Sequence, residues 1–243
     1  MIRCVTLFLV LLLTFGSDGY SQPSAEPVIY FNWNFLPVKN INFAFYYGKH
    51  QHIHGNRYEV TFYTLGDDKV AYGEYTGKNL KKKNGVFVIF NEQDKIIVSA
   101  NYRKNALHGI YQRFYENGQL SDSGYLSRGE NKGSWKSWYS TGQLKEVKYY
   151  SFKRGHSTLE SEFKSWYPGG NIKDSGYYRN NARHGIWLEW VDDGNTKSVG
   201  EYGNGWKKGL WRYYDNKGKL VYMRRFNRFK YDEEGEYIPS REK

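Results

Sequence analysis

A phrase of the form Gly-x-aromatic-x-x-aromatic-Tyr-x-x-Gly-x-Leu recurs along this chain. It begins at Gly85, Gly109, Gly133, Gly185 and Gly209, with one copy carrying serine in the glycine place at Ser161. Successive starts lie 24, 24, 28, 24 and 24 residues apart. A fixed period of this size marks a repeat array, in which a unit too small to bury its own apolar face stacks on its neighbours. Function in such a chain is sought on a surface rather than in a pocket.

Aligned copies show what each unit is made of. The first aromatic is Phe87, Tyr111, Trp135, Phe163, Trp187 or Trp211, and the second is Phe90, Phe114, Trp138, Trp166, Trp190 or Tyr213. A glycine turn follows, as in Glu116-Asn117-Gly118 and Asn216-Lys217-Gly218, where glycine supplies the positive φ other residues resist. An apolar residue (Ile96, Leu120, Leu144, Ile172, Leu220) then leads, often through a glycine, to Tyr102, Tyr150, Tyr178, Tyr202 or Phe226. Strand, tight turn, strand and short connector, without helical periodicity, predict an all-β chain. The expected fold is an elongated array of antiparallel hairpins in a single twisted sheet. Glycines in the second strand leave room for rings from the neighbouring strand.

The ends depart from the period. Residues 58–226 are predicted to form about seven hairpins, the first a degenerate copy with Tyr58, Val60, Tyr63, Gly73 and Tyr75. Residues 22–57 are predicted to be a cap, with strands over Val28 to Phe35 and Ile41 to Tyr47 covering the first edge. Residues 227–243 form a second cap and tail, since Tyr231 to Tyr237 echoes Tyr214 to Leu220 out of step. The extra residues of the 28-residue spacing fall in the polar stretch Ser151 to Thr158 and are expected to bulge from one edge.

His108-Gly109-Ile110-Tyr111, Tyr115-Glu116-Asn117-Gly118-Gln119-Leu120, Gly200-Glu201-Tyr202 and Gly209-Leu210-Trp211-Arg212-Tyr213-Tyr214 resemble the MORN repeat. The resemblance is closer still to the bacterial variant of that repeat in YwqK-type antitoxin proteins. It implies a β-hairpin array used for protein or lipid contact.

Residues 1–21 have the layout of a secretory signal peptide. Arg3 is followed by an apolar run of 11 residues from Val5 to Phe15, then by small residues with Gly19 and Ser21 at the −3 and −1 places. The run is short of the ~20 residues that span a bilayer. An exported protein, periplasmic or secreted, is expected. Cys4 is the only cysteine and precedes the apolar run, so the mature chain has no disulfide or thiol chemistry. With 19% aromatic residues, rings must hold it together. No second apolar span follows, so the mature chain is expected to be soluble.

Chemistry-bearing motifs are sparse. His50, His52 and His54 alternate, which in a strand puts three imidazoles on one face as a candidate Zn or Cu site. The plainer reading is a polar strand before Gly55, and it is preferred because no carboxylate or cysteine lies near. His108 and His184 each sit in Asn-Ala-x-His-Gly, the same connector position in two repeats, which points to a structural role. No nucleophile triad, phosphate loop or paired-carboxylate motif stands out. No enzyme activity and no cofactor are expected.

Charge gives the sharper clue. The net charge is +11, and losing residues 1–21 removes one positive and one negative charge. In an up-and-down row of hairpins, turns line one long edge and connectors the other. The connectors carry Lys81, Lys82, Lys83, Arg103, Lys104, Lys132, Lys153, Arg154, Arg183, Lys207 and Lys208, with Arg128 and Arg179. The turns carry Glu92, Asp94, Glu116, Asp192, Asp193 and Asp215, and the last cap Asp232 to Glu234. One edge is thus expected to be basic and the other mildly acidic. A solvated edge that blocks strand pairing is the plain reading. The functional one is a stripe attracting an acidic protein, anionic lipid or acidic glycan. Export would remove nucleic acid from that set. Two classes remain: a scaffold for a protein partner, and a cell-envelope module for anionic lipid or glycan using the basic edge and exposed rings.

Overall fold

Each repeat contributes two strands whose side chains alternate between faces, and in the computed structural model they join into one open antiparallel sheet of 17 strands. The structure describes residues 28–192 and 196–226. The expected signal peptide, Cys4, Asp193 and the cap at 227–243 lie outside the described residues.

Strands follow in chain order. They are β1 (Ile29–Phe31), β2 (Tyr46–His54), β3 (Arg57–Thr64), β4 (Lys69–Thr76), β5 (Lys82–Phe90), β6 (Ile96–Arg103), β7 (Ala106–Phe114), β8 (Leu120–Ser127) and β9 (Glu130–Trp138). The second half runs β10 (Leu144–Lys153), β11 (His156–Leu159), β12 (Ser161–Trp166), β13 (Ile172–Arg179), β14 (Ala182–Trp190), β15 (Thr196–Gly203), β16 (Trp206–Tyr214) and β17 (Leu220–Phe226). Each pairs antiparallel with its predecessor, except that β11 and β12 both pair with β10, as two halves of one strand broken at Glu160. The expected hairpin array is therefore present.

The two kinds of link exchange the roles the sequence suggests. The connectors are the tight hairpin turns: Lys104-Asn105, Arg128-Gly129, Arg154-Gly155, Asn180-Asn181 and Asn204-Gly205 have positive φ at both residues, as a type I′ turn requires. The glycine turns are five-residue loops. In one, Tyr115 N–H donates to Gln119 O at 2.8 Å and Gly118 N–H to Tyr115 O at 2.8 Å, with Gly118 at φ 85°. Loops line one long edge and connectors the other.

The extra residues of the 28-residue repeat project from the connector edge as a longer, fully paired hairpin. β10 and the β11–β12 strand are each two residues longer than in other repeats, and the hairpin pairs Lys153 with His156 beyond Tyr150 and Leu159. An even insertion in each arm leaves every side chain on its own face.

The N-terminal cap also differs from expectation. Only Ile29–Phe31 is a strand within Val28 to Phe35, and Ile41–Phe43 is a single 3-10 turn. Asn32 Oδ1 accepts from the N–H groups of Asn34 and Leu36, both at 3.0 Å, and Phe35 takes φ 56°, so the chain turns instead of extending. The turn places Phe31 and Phe35 over the sheet, against Phe62 at centroid distances of 4.8 and 5.0 Å. Phe31, Val60, Phe62, Ala71, Tyr75, Leu80 and Phe87 form the core there. The regular sheet starts at β2, ahead of the expected boundary at residue 58.

Candidate functional site

One face of the sheet is filled by its own rings. The rings of Phe87, Trp135, Trp187 and Trp211 lie over Gly73, Gly124, Gly176 and Gly200 of the preceding strand, and a Cβ at any of these glycines would overlap the ring. Tyr178 and Tyr202 stand edge-on to Trp187 and Trp211, each at 5.2 Å. The indole N–H groups of Trp135, Trp187 and Trp211 donate to the carbonyl oxygens of Tyr125, Tyr177 and Glu201 at 3.3, 3.2 and 3.1 Å. Trp187 and Trp211 are completely buried.

Cations complete this packed face. Lys83, Arg183 and Lys207 precede Phe87, Trp187 and Trp211 by four residues, and a bulge with two extra residues at the phrase glycine keeps them on the same side. Lys207 Nζ lies 3.8 Å from the Trp211 ring centroid, the Arg183 guanidinium 4.3 Å from Trp187, and Lys83 Nζ 4.5 Å from Phe87. Burial pushes Lys83 down to about 8 and holds Lys207 below the ordinary lysine value. These three do not stand on a free stripe. Lys81, Lys82, Arg103, Lys104, Lys132, Lys153, Arg154 and Lys208 are exposed on or beside the connectors, with Lys208 paired to Glu201 at 3.0 Å. At the opposite edge Glu92, Asp94, Glu116 and Asp192 are exposed.

A further row on the packed face has no signature in the repeat phrase. Ser137, Ser165 and Ser198 donate to Asp122, Asp174 and Glu189 on the facing strands at 2.8, 3.1 and 2.7 Å, and Lys148 pairs with Glu146 at 2.6 Å. The signal available was alternation, since Ser137, Ser165 and Ser198 share parity with Trp135, Phe163 and Gly200 on their own strands.

The histidines do not assemble a metal centre. The β2–β3 register shifts between His52 and His54, and His52 Nε2 is taken up 3.0 Å from Gly55 O. Among the described residues no group of three or more His, Cys, Asp or Glu side chains is placed to hold a metal ion. The Asn-Ala-x-His-Gly copies are structural through their asparagines. Asn105 Oδ1 accepts from Lys83 N–H at 2.7 Å and Asn181 Oδ1 from Leu159 N–H at 2.6 Å, each tying a connector to the previous hairpin.

The other face is open. Ile110, Tyr125, Tyr149, Tyr177 and Ile186 are exposed there, and Ile186 is 59% exposed beside fully buried Trp187. Three segments match the MORN repeat variant. They are residues 107–124, 132–151 and 159–180. These MORN-type repeats span β7 to β13, and the hairpins on either side follow the same register outside the matched segments. MORN repeats are in general binding and scaffold repeats of a non-enzymatic type. No curated protein matches the chain.

Proposed function

We propose that this chain is a non-enzymatic scaffold that binds a protein partner in an exported compartment, through surfaces its sheet leaves open. The observation that carries the reading is the N-terminal cap. Trp33, Ile41, Phe43 and Phe45 come from one short segment pinned by β1, and all are exposed, Phe43 at 66%, although the packed face lies beside them. Large apolar side chains concentrated in one exposed segment mark a contact surface. The basic connector edge would steer an acidic partner toward it.

The test is capture by immobilised protein from an extract of the source organism, with Trp33→Ala/Phe43→Ala/Phe45→Ala as the comparison. A single species retained by the wild type and lost with the variant supports the reading. Equal retention by both, or none by either, removes it. A second reading, binding of anionic lipid or glycan, is favoured by the exposed cations of the connector edge, Arg128 and Arg179 among them.

A further inference from the structure

We propose that the open face carries a site for an extended acidic polysaccharide, built from Tyr125, Tyr149 and Tyr177 with Lys136 and Lys164 between them. The proposal deepens the glycan reading and is independent of the cap surface.

The three tyrosines occupy one position of the repeat, after Gly124, Lys148 and Gly176, on β8, β10 and β13. They are 39%, 51% and 39% exposed. Each follows by two residues one of Ser123, Val147 and Ser175, which the register joins in a single row, so all three stand at one level of the sheet. One strand separates each tyrosine from the next, so the rings repeat every two strands, ~9.6 Å at ~4.8 Å per strand. That is the length of one disaccharide in an extended β-linked chain, in which every second sugar turns the same face outward. A tyrosine ring offers an apolar face to the C–H side of a pyranose and a hydroxyl to its rim.

The intervening strands supply the charge. In the adjoining row Ser123 pairs with Lys136, Lys136 with Val147, Val147 with Lys164, and Lys164 with Ser175. Lys136 and Lys164 are exposed and sit on the strands between the tyrosines. A polymer laid over the tyrosine row meets a ring on every second strand, with an ammonium flanking each interval from two residues along the strand between, which suits one stacking sugar and one carboxylate per disaccharide. Lys132 adds a third exposed cation beside Tyr125, and exposed Glu162, on β12 between Tyr149 and Tyr177, opposes a carboxylate in that interval. An extended polypeptide repeats its side chains every ~6.8 Å and does not keep step with this row. A lipid surface has no fixed pitch.

The experiment is calorimetric titration of the purified protein with hyaluronan oligosaccharides, which carry one carboxylate per disaccharide, and with neutral cellohexaose. Affinity is expected to rise with length up to the hexasaccharide, where three disaccharides meet three tyrosines. Tyr125→Ala/Tyr149→Ala/Tyr177→Ala and Lys136→Gln/Lys164→Gln are each expected to weaken hexasaccharide binding by about ten-fold or more. The matching Tyr→Phe triple variant, which keeps the rings, is expected to retain it, and cellohexaose to bind more weakly. Circular dichroism and melting verify the fold of each variant, and the lysine pair tests the site if the alanine triple fails to fold.

Hexasaccharide binding that survives loss of the rings and of the lysine pair but disappears in Lys81→Gln/Lys82→Gln/Arg103→Gln/Lys104→Gln would overturn this site and leave the basic edge as the glycan surface. Absence of hexasaccharide binding by the wild type would overturn both. Ring-dependent binding to phosphatidylglycerol vesicles without hyaluronan binding would overturn the polysaccharide in favour of lipid.

Discussion

Tyr115 donates its phenolic hydroxyl to the carbonyl oxygen of Trp138 at 2.8 Å, reaching from one loop into the next repeat. Tyr139 does the same to Trp166 at 2.8 Å and Tyr167 to Trp190 at 2.9 Å. The second aromatic and the tyrosine after it thus form a ladder along the loop edge. A hydrogen bond of this kind contributes about 1 kcal/mol. Tyr139→Phe is expected to lower the melting temperature by about 2–4 °C for a chain of this size. An unchanged melting temperature would mean that the ladder is incidental.

Gly176 gives a sharper test of packing. It has ordinary strand geometry, so alanine there meets the Trp187 indole and not a backbone prohibition. Gly176→Ala is expected to cost about 1–3 kcal/mol through overpacking, measured by urea unfolding. Gly66→Ala serves as the control, because its nearest neighbour to a new Cβ is Thr64 Oγ1 at 3.7 Å.

Lys83 predicts a pH dependence. Its folded value of about 8 lies below the ordinary lysine value because burial disfavours the ammonium. The unfolded chain therefore holds more protons than the folded chain between about pH 8 and 10, and stability rises with pH across that window. Above it the buried Tyr75 and Tyr102, whose ionisation burial opposes, reverse the trend. Lys83→Met is expected to flatten the rise in unfolding free energy between pH 8 and 10. A persistent rise would assign it to another group.

The 28-residue repeat predicts a parity effect. Removing Phe152, Lys153, His156 and Ser157 takes two residues from each arm and restores the common period, so the chain is expected to fold with a similar melting temperature. Removing only Lys153 and His156 takes one from each arm and shortens the hairpin by an odd step. Either the connector or the register must then flip, and cooperative melting is expected to be lost.

Much of the fold was legible in the sequence, because Trp135, Trp187 and Trp211 announce the period and Gly124, Gly176 and Gly200 announce the gaps they fill. The basic edge was legible only in part. Lys83, Arg183 and Lys207 lie next to the connectors in the chain, yet alternation relative to Phe87, Trp187 and Trp211 aims them at the packed face. Their facing depends on an even bulge at Gly85, Gly185 and Gly209, and spacing alone does not say whether a bulge is even or odd. The cap was less legible still, since the turn set by Asn32 and the positive φ of Phe35 interrupt a stretch of high strand propensity. The row formed by Tyr125, Tyr149 and Tyr177 was hidden because those tyrosines are equivalent to Glu74, Asn101 and Glu201 in other repeats, so the repeat phrase does not record them.

The central claim is that the sheet has one face filled by its own rings and one face left free for recognition. Hydroxyl-radical footprinting read by mass spectrometry tests it residue by residue. Ile186 and Trp187 are chain neighbours at 59% and 0% exposure, and Tyr149 is 51% exposed while Trp211 is 0% exposed. The account predicts rapid oxidation of Ile186 and Tyr149 with Trp187 and Trp211 protected, although indole is the more reactive group. Oxidation of Trp187 and Trp211 at the rate of exposed Trp206, or protection of Tyr149 and Ile186 in the free protein, would contradict it.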